Sequence, residues 1–311
     1  MRFVSTDDIN SRIAGGVDAF TARCENYYQR QINIISTALS KHTESSPIVL
    51  LSGPSGSGKT TTALRIENVL DNCGIECHTL SMDNYFLPHD MTPKAVDENG
   101  KTDYESPYRL DIKLLNEHLE KIANCEPVDV PMFDFVHQKR ISGHTLSRKK
   151  GELVIMEGIH ALNPEVTGKS DLFTTGIYVS VRTRLQNKNG DILHPSKIRL
   201  ARRLIRDLSF RARKFEDTMD MFDSVERGEN LYIMPHKHHA TYDIDTFIDY
   251  ELSVYRAVML EEFHKLSETY ADYSRFSDIE RFFQELEPIT PEAIPQNSLV
   301  REFIGGSSLK Y

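Results

Sequence analysis

Short apolar runs alternate with helical patterns along most of the chain. The runs are rich in β-branched residues and short enough to be buried strands, and they occupy residues 47–53, 76–83, 152–158, 176–183 and 242–250. Helical periods follow the first two runs, starting at Thr60 and Asp111. Buried strands separated by helices are typical of parallel sheets. The pattern therefore predicts an α/β fold, with helices on both faces of a parallel sheet.

The region between the second and third runs contains two further extended stretches, VDVPMFDFVHQKR and SGHTLSRKK. Their order and spacing predict an inserted β-hairpin. Parallel α/β sheets bind ligands beyond the carboxyl ends of their strands. We therefore expect this hairpin to lie over the ligand site.

The two ends of the chain differ from the middle. Residues 18–42 carry an apolar stripe at helical spacing, formed by Phe20, Cys24, Tyr27, Tyr28, Ile32, Ile35 and Leu39. This helix would pack on the central domain or on a partner subunit, and we favour the first. Residues after 288 are rich in proline, glycine and serine, which predicts a loosely structured tail. We thus expect an N-terminal helical extension (1–46), a central domain (47–288) and a C-terminal tail (289–311).

Composition narrows the class of protein. The chain has 37 basic and 46 acidic residues among 311, a net charge of -9, which argues against a nucleic-acid surface. The four cysteines have no metal or disulfide spacing, as expected of reduced thiols. The amino terminus lacks the apolar run of a signal peptide, and no apolar run is long enough for a membrane span. We therefore expect a soluble cytoplasmic protein without membrane partners.

The first apolar run leads into GPSGSGKTT, residues 53–61, which contains the phosphate-loop pattern G-x-x-x-x-G-K-[ST]. Glycines let the backbone N–H groups turn inward around phosphates, and the following helix adds its positive end. Lys59 would reach the β- and γ-phosphate oxygens, and the Thr60 hydroxyl would coordinate Mg²⁺. The predicted nucleotide-binding residues are Gly53, Ser55, Gly56, Ser57, Gly58, Lys59, Thr60 and Thr61.

Two acidic residues lie at the ends of predicted strands. Glu157 ends the apolar strand LVIME, and Asp83 follows the second strand in SMDNYF. Because parallel strands end at one edge of the sheet, we expect both carboxylates to meet at the phosphate loop. Glu157 and Asp83 would support Mg²⁺, and Asp83 would accept a proton from an acceptor hydroxyl. The alternative for Asp83 is a cap or turn residue.

The stretch RLARRLIRDLSFRAR carries six arginines with one acid among them, namely Arg199, Arg202, Arg203, Arg206, Arg211 and Arg213. Leu200, Leu204, Ile205 and Leu208 form an apolar face, so the arginines are expected to be displayed. A solvated charged helix is the alternative. We predict a lid at about 199–215 that closes on the phosphates and excludes water.

These motifs, in this order, resemble the uridine kinase (uridine-cytidine kinase) group, within the wider set that includes phosphoribulokinase and pantothenate kinase. The resemblance covers about residues 47–250 and rests on GPSGSGKTT, SMDNYF, YESPYRLD, VPMFDFVHQKR, VIMEGIHAL and the arginine-rich helix. It implies a P-loop kinase fold and transfer of the γ-phosphoryl group of ATP to the 5′-hydroxyl of a ribonucleoside.

The resemblance also implies roles for single residues. Asp83 matches the family's catalytic aspartate, and Glu157 matches its glutamate that supports Mg²⁺. Tyr104 and Glu105 match a Phe-Asp pair that contacts ribose, so the acid here is one methylene longer. In the arginine-rich helix, Arg203 and Arg213 match positions facing the substrate, whereas Arg206 and Arg211 match lid positions facing the nucleotide phosphates.

The expected base pocket departs from the family pattern. Phe133 stands where a tyrosine is usual, and Gln138 aligns with a base-contacting histidine, with His137 displaced by one residue. We expect base stacking on Phe133 and Phe135, while the polar contacts to a base differ from those of the family. The insertion at 186–197 is also unusual and receives no role from the sequence.

Other readings stay open at this point. The same fold could act on a phosphosugar or a pantothenate-like alcohol, or the chain could be a non-catalytic ATP-binding regulator. The second is disfavoured because a binder needs no base such as Asp83. NKNGD at 187–191 lacks the correctly placed acid of a guanine-binding motif, and HKHH at 236–239 is expected to be an exposed loop and not a metal site. Family members are often oligomers, so a homo-oligomer is expected.

Overall fold

A computed structural model describes residues 2–88, 91, 95–97, 100–168 and 170–310. The strands are β1 Phe3–Ser5, β2 Ile48–Ser52, β3 Cys77–Ser81, β4 Val128–Asp134, β5 Lys139–Leu146, β6 Leu153–Glu157, β7 Thr174–Ser180, β8 Arg184–Gln186, β9 Ile192–Leu193 and β10 Tyr242–Asp245. The α-helices are α1 Thr6–Ala14, α2 Val17–Leu39, α3 Lys59–Asn72, α4 Ile112–Ala123, α5 Pro164–Thr167, α6 Pro195–Arg211, α7 Phe215–Gly228, α8 Glu251–Thr269, α9 Ser277–Glu285 and α10 Arg301–Ile304.

The central sheet confirms the predicted α/β class. Five parallel strands lie in the order β10-β7-β2-β6-β3. Successive residues of β2 face opposite sides, because Val49 and Leu51 pack in one apolar core and Ile48 and Leu50 in the other. Helices α2, α3, α6 and α8 contribute to the first core, and α4 contributes to the second. Helices therefore cover both faces.

The predicted hairpin is present. Strands β4 and β5 pair antiparallel, with an irregularity between Val130 and Met132. The Arg140 guanidinium donates to an Asp111 carboxylate oxygen at 3.0 Å and to the Tyr85 and Phe86 carbonyls. Because Tyr85 and Phe86 directly follow β3, these bonds fix the hairpin beside the carboxyl end of that strand.

The N-terminal helix packs within the chain. The Tyr28 hydroxyl lies 2.7 Å from the Thr62 hydroxyl, and Arg65 of α3 pairs with Glu25 at 3.0 Å. Tyr27, expected in the apolar stripe, is 43% exposed and belongs to the outer face. Strand β1 pairs with β8, which pairs with β9, so the inserted segment builds a small sheet with the chain's amino terminus.

The prediction of a loosely structured tail is wrong. Leu299, Val300 and Phe303 are fully buried, and α10 forms where the tail was expected. The proline-rich composition reflects tight turns between buried side chains, since Ile289 and Ile294 also lie in the core. Within the described residues, no helix is both long and apolar enough to cross a membrane.

Candidate active site

The phosphate loop joins β2 to α3, as predicted, and its glycines are required by its shape. Gly56 and Gly58 have left-handed φ values of 74° and 82°. A Cβ on Gly53 would lie 2.1 Å from the Val179 carbonyl oxygen, so only glycine fits there. Helix α3 begins at Lys59, whose ammonium donates to the Pro54 carbonyl at 3.2 Å. The loop thus presents the amino end of a 14-residue helix, the usual site for phosphates.

The two predicted acids lie beside this loop. Ser81 of β3 is in register with Glu157 of β6, and Asp83 follows Ser81 by two residues. Burial raises the pKa of Glu157 to about 7, while Lys59 lowers it and Asp83 raises it further. Burial also raises the pKa of Asp83, opposed by Lys59, Arg211 and Arg109. The adjacent strand ends therefore place two carboxylates where both interact electrostatically with Lys59.

The expectation that all six arginines of residues 199–213 are displayed is wrong for three of them; five of the six lie in α6, and Arg213 follows it. Arg199, Arg202 and Arg203 are only 4%, 0% and 6% exposed. Arg199 donates to the Ser55 carbonyl at 3.2 Å, Arg202 donates to the Gly56 carbonyl at 3.0 Å, and Arg203 donates to the Ser55 hydroxyl. A phosphate loop turns its N–H groups inward, so its carbonyls need outside donors. The first half of α6 supplies them.

The second half of α6 carries the arginines that remain accessible, and they gather around a buried acid. Asp207 is 0% exposed and lies 3.3 Å from both Arg206 and Arg211 and 3.6 Å from Arg213. Arg211 also lowers the pKa of Asp83. Asp207 therefore offsets the repulsion among the three guanidinium groups.

The expected acceptor residues lie on the other side of Asp83. Burial raises the pKa of Glu105 to about 6, and the nearby charges of Arg203 and Lys59 lower it. One Glu105 carboxylate oxygen is buried without a hydrogen-bond partner among the described residues. Tyr104 is 54% exposed, and its ring lies 4.9 Å from the guanidinium of Arg109.

Sequence reasoning missed Arg109, although it lies within the quoted YESPYRLD. The side chain is 6% exposed and lies between the Tyr104 ring and the Phe86 ring, 5.1 Å from the latter. Its charge affects both Asp83 and Glu105. The only available signal was a lone arginine in a loop, which is ordinarily a surface residue.

The hairpin contributes an aromatic group. Phe133 and Phe135 have ring centroids 5.1 Å apart, and both rings contact Phe86, at 5.7 and 6.1 Å. Phe133 is 4% exposed and packs inside this group, whereas Phe135 is 54% exposed and presents its ring to solvent. Phe135 is therefore the more accessible stacking surface of the two residues expected to hold a base.

His137 and Gln138 occupy the exposed turn of the hairpin. The His137 ring lies 2.6 Å from an Asp134 carboxylate oxygen, and the Gln138 amide donates to the Phe135 carbonyl at 2.8 Å. Gln138 has a left-handed φ of 50°. The structure does not bring these two side chains to the cluster around Lys59, and their contact with a base stays a prediction.

A second polar cluster below Glu105 had no signal in the sequence. Asp103 is 1% exposed, pairs with Arg227 at 2.8 Å and accepts from the Tyr232 hydroxyl at 2.9 Å. The Tyr232 ring packs edge-on against His160, whose centroid lies 6.2 Å away. Burial lowers the pKa of His160 to about 4. This cluster supports the backbone that carries Glu105.

The two remaining motifs have local roles. The Asn187 side chain accepts from the amides of Asn189 and Asp191 and shapes its own turn. HKHH lies in a short 3-10 helix, with His238 and His239 exposed. Among the described residues, the one group with metal-ligand proximity is Glu76, His78 and Glu152. It lies at the amino ends of β3 and β6, opposite the strand ends that carry Asp83 and Glu157, and Lys149 pairs with Glu152 there at 3.2 Å.

Comparisons with known proteins show which family the sequence resembles. Residues 48–253 match the model of the phosphoribulokinase / uridine kinase family. The chain is 30% identical to a uridine kinase of Macrococcus caseolyticus over 62% of this chain and 84% of that protein. It is 31% identical to a uridine kinase of Anoxybacillus flavithermus over 62% of this chain and 83% of that protein. A solved protein from Bacillus stearothermophilus, described as a possible uridine kinase, has a TM-score of 0.45 at 15% identity, covering 70% of this chain and 98% of that one.

Proposed function

Because the chain belongs to the phosphoribulokinase / uridine kinase family, we propose that it transfers the γ-phosphoryl group of ATP to the 5′-hydroxyl of a ribonucleoside. The products are a nucleoside 5′-monophosphate and ADP. The observation that carries the proposal is the shared electrostatic cluster of Lys59, Asp83, Glu157 and Glu105 at the mouth of the phosphate loop. Family relatives named uridine kinase support the choice of a nucleoside.

The donor site would be built from the phosphate loop and α6. Backbone N–H groups of residues 53–61 surround the β-phosphate, and Lys59 contacts the β- and γ-oxygens. The Ser57 hydroxyl is buried without a partner among the described residues, as expected of a loop that binds a polar ligand. Arg206 and Arg211 would contact the phosphates, because both guanidinium groups lie beside Asp207 and the charge of Arg211 acts on Asp83.

The acids fit a divalent cation. Burial raises the pKa of both Asp83 and Glu157, so Lys59 alone does not offset the cost of two ionised carboxylates. Mg²⁺ prefers oxygen ligands, and the Thr60 hydroxyl with Asp83 and Glu157 would hold it directly or through water. When bound, Mg²⁺ neutralises charge that develops on the phosphate oxygens.

Asp83 would act as the base. It accepts the proton of the acceptor hydroxyl as that oxygen bonds to the γ-phosphorus and the bond to the β-phosphate oxygen breaks. The acceptor is proposed to lie between Asp83 and the hairpin. There Tyr104 and Glu105 contact its ribose, Phe135 and Phe133 contact its base, and Arg203 and Arg213 complete the polar wall.

A panel of alcohols tests the proposal. Purified protein with ATP and Mg²⁺ is incubated with ribonucleosides, a phosphosugar and pantothenate, and ADP and the phosphorylated products are quantified. We expect a ribonucleoside 5′-monophosphate as the main product. Thermal shifts with each alcohol provide a second measurement, because a ligand of the native state raises the Tm. Turnover of the phosphosugar or pantothenate in preference to every nucleoside would overturn the proposal.

A further inference from the structure

The C-terminal segment, residues 298–306, packs against the phosphate loop. A Cβ on Gly58 would lie 2.6 Å from a methyl carbon of Leu299, so the Leu299 side chain packs directly on the backbone of the phosphate loop. The Ser298 hydroxyl lies 2.8 Å from the Tyr250 hydroxyl, and the Arg202 guanidinium lies 5.2 Å from the Phe303 ring. The segment is thus part of the wall that surrounds the amino end of α3.

This segment is held in one conformation. The Arg301 guanidinium donates to the carbonyls of Pro291, Ile294 and Gly305, at 2.8, 2.7 and 3.2 Å. Gly305 has a left-handed φ of 85°, and a Cβ there would lie 3.0 Å from the ring of Phe210 on α6. The segment therefore joins the phosphate loop to the accessible half of α6.

One carboxylate of this segment faces the phosphate-binding helix. An oxygen of Glu302 accepts from the Thr61 hydroxyl at 2.5 Å and from the Thr61 amide at 3.4 Å. Thr61 is the third residue of α3, so its amide has no partner within the helix. The amide and hydroxyl following the phosphate-loop Lys-Thr are donors suited to a phosphate at this end. Glu302 therefore lies where the helix would receive the donor's α-phosphate.

We propose that Glu302 recognises the ribose of the donor nucleotide through its 2′- and 3′-hydroxyls. The inference rests on the proposed function for the identity of the donor. Lys59, Asp83 and Glu157 define the γ-phosphate end, so the triphosphate runs towards Thr61 and the ribose follows the α-phosphate. The α-phosphate takes the Thr61 donors, which frees the carboxylate beside two sugar hydroxyls. Acidic side chains bind ribose hydroxyls next to a helix-bound pyrophosphate in dinucleotide sites.

Two alternative roles for Glu302 are a cap of helix α3 and a competitor of the triphosphate. As a cap alone, Glu302 would stabilise α3 without affecting the choice of donor. As a competitor alone, its negative charge would oppose the triphosphate, and its removal would tighten binding. The three roles predict different results for a donor that lacks one sugar hydroxyl.

Calorimetry with Mg²⁺ and the β,γ-imido analogue of ATP, alongside its 2′-deoxy form, distinguishes these roles without turnover. We expect the wild-type chain to prefer the ribose form by about tenfold, the effect of one hydrogen bond to a charged acceptor. Glu302→Ala should raise the Kd of the ribose form by about tenfold or more and abolish the preference for that form. Glu302→Gln should reduce the preference. Glu292→Gln, an exposed acid that precedes the segment, should change neither Kd.

Thermal melts confirm that each variant is folded. Tighter binding by the Glu302 variants overturns the proposal in favour of a competitor, and an unchanged preference with a lower Tm overturns it in favour of a cap. A wild-type chain that binds neither analogue overturns the proposed function and this inference together. If the Glu302 variants lose the preference of the wild type but the wild type phosphorylates no nucleoside, the role of Glu302 is supported. That result would refute only the proposed nucleoside acceptor.

Discussion

Arg202 of α6 and Glu251 of α8 form an ion pair in which both side chains are fully buried, with Nε 2.7 Å from Oε2. The same guanidinium donates to the Gly56 carbonyl of the phosphate loop and to the Thr246 carbonyl after β10. One buried cation thus connects the loop, the sheet and two helices. Its charge is offset inside the protein and is not available to a ligand.

Replacing Arg202 with methionine is expected to destabilise the protein by about 3–5 kcal/mol, because Glu251 is left as an uncompensated buried charge. Arg182→Met is the control, since Arg182 pairs with Asp243 at 2.8 Å with both side chains exposed, and exposed pairs contribute about 0–1 kcal/mol. Urea unfolding measures both. Similar losses for the two variants would show that the buried pair has no special role.

Asp83→Asn should retain binding of MgATP while turnover falls by roughly a hundredfold or more, the usual contribution of a general base. Asparagine keeps the shape of the side chain and cannot accept the proton. Calorimetry with a non-hydrolysable analogue measures binding, and a coupled ADP assay measures turnover. Asp217→Asn, at an exposed position in the first turn of α7, serves as the control. Near-normal turnover of the Asp83 variant would remove Asp83 from the chemistry.

Gly228 leaves room for the Cβ and Cγ atoms of the acidic residue at position 105. A Cβ on Gly228 would lie 2.2 Å from the Cβ of Glu105. Gly228→Ala should therefore displace Glu105 and raise the acceptor KM by about tenfold, with overpacking worth about 1–3 kcal/mol. The KM for ATP should change little.

The double variant Gly228→Ala, Glu105→Gly tests this relationship, because glycine at position 105 removes the Cβ and Cγ atoms that the added methyl group would meet. Urea unfolding should show that Gly228→Ala costs less stability in the Glu105→Gly background than in the wild type. Equal losses in the two backgrounds would show that the close approach of the two residues does not cause the overpacking.

His160 should make stability depend on pH. Burial lowers its pKa from 6.5 to about 4, so the unfolded chain binds a proton more readily than the folded one between these values. The contribution of the neutral His160 to the free energy of unfolding is complete above about pH 6.5 and is lost as the pH falls towards 4. Between pH 7.5 and 5.0 the wild type should lose about 2 kcal/mol more than His160→Gln.

Urea titrations at the two pH values measure this difference, and His144→Gln at an exposed position of the hairpin is the control. The pKa shifts of Glu105, Glu157 and Asp83 also make stability depend on pH, but they are common to all three proteins and largely cancel when the proteins are compared. Identical pH profiles for wild type and His160→Gln would contradict a neutral, buried imidazole.

The pattern of the chain was sufficient for the sheet and for the acids at its edge. Apolar runs such as residues 48–51 have no polar position to face water, so they must be covered on both sides. Once these strands are parallel, their carboxyl ends meet, and Asp83 and Glu157 lie together next to the phosphate loop. The family resemblance, confirmed by the match to residues 48–253, added the reaction type.

The pattern misplaced three of the six arginines in residues 199–213. In the sequence alone, a helix with charges opposite a leucine face is predicted to expose those charges to solvent. Arg199 and Arg202 are buried against carbonyls of the phosphate loop that need donors, and Arg203 is buried against the Ser55 hydroxyl of the same loop. A helix pattern contains no information about the element packed against its polar side.

The amino-acid sequence by itself determined the parallel sheet, the phosphate loop and the strand-end acids, because periodicity and short motifs are local properties of the chain. Only the tertiary structure decided that Glu302 contacts Thr61, that Arg202 is neutralised by Glu251 and that Gly228 makes room for Glu105. Each of these contacts joins residues that are distant in sequence. Their partners depend on how whole elements pack, and packing is a property of the folded chain.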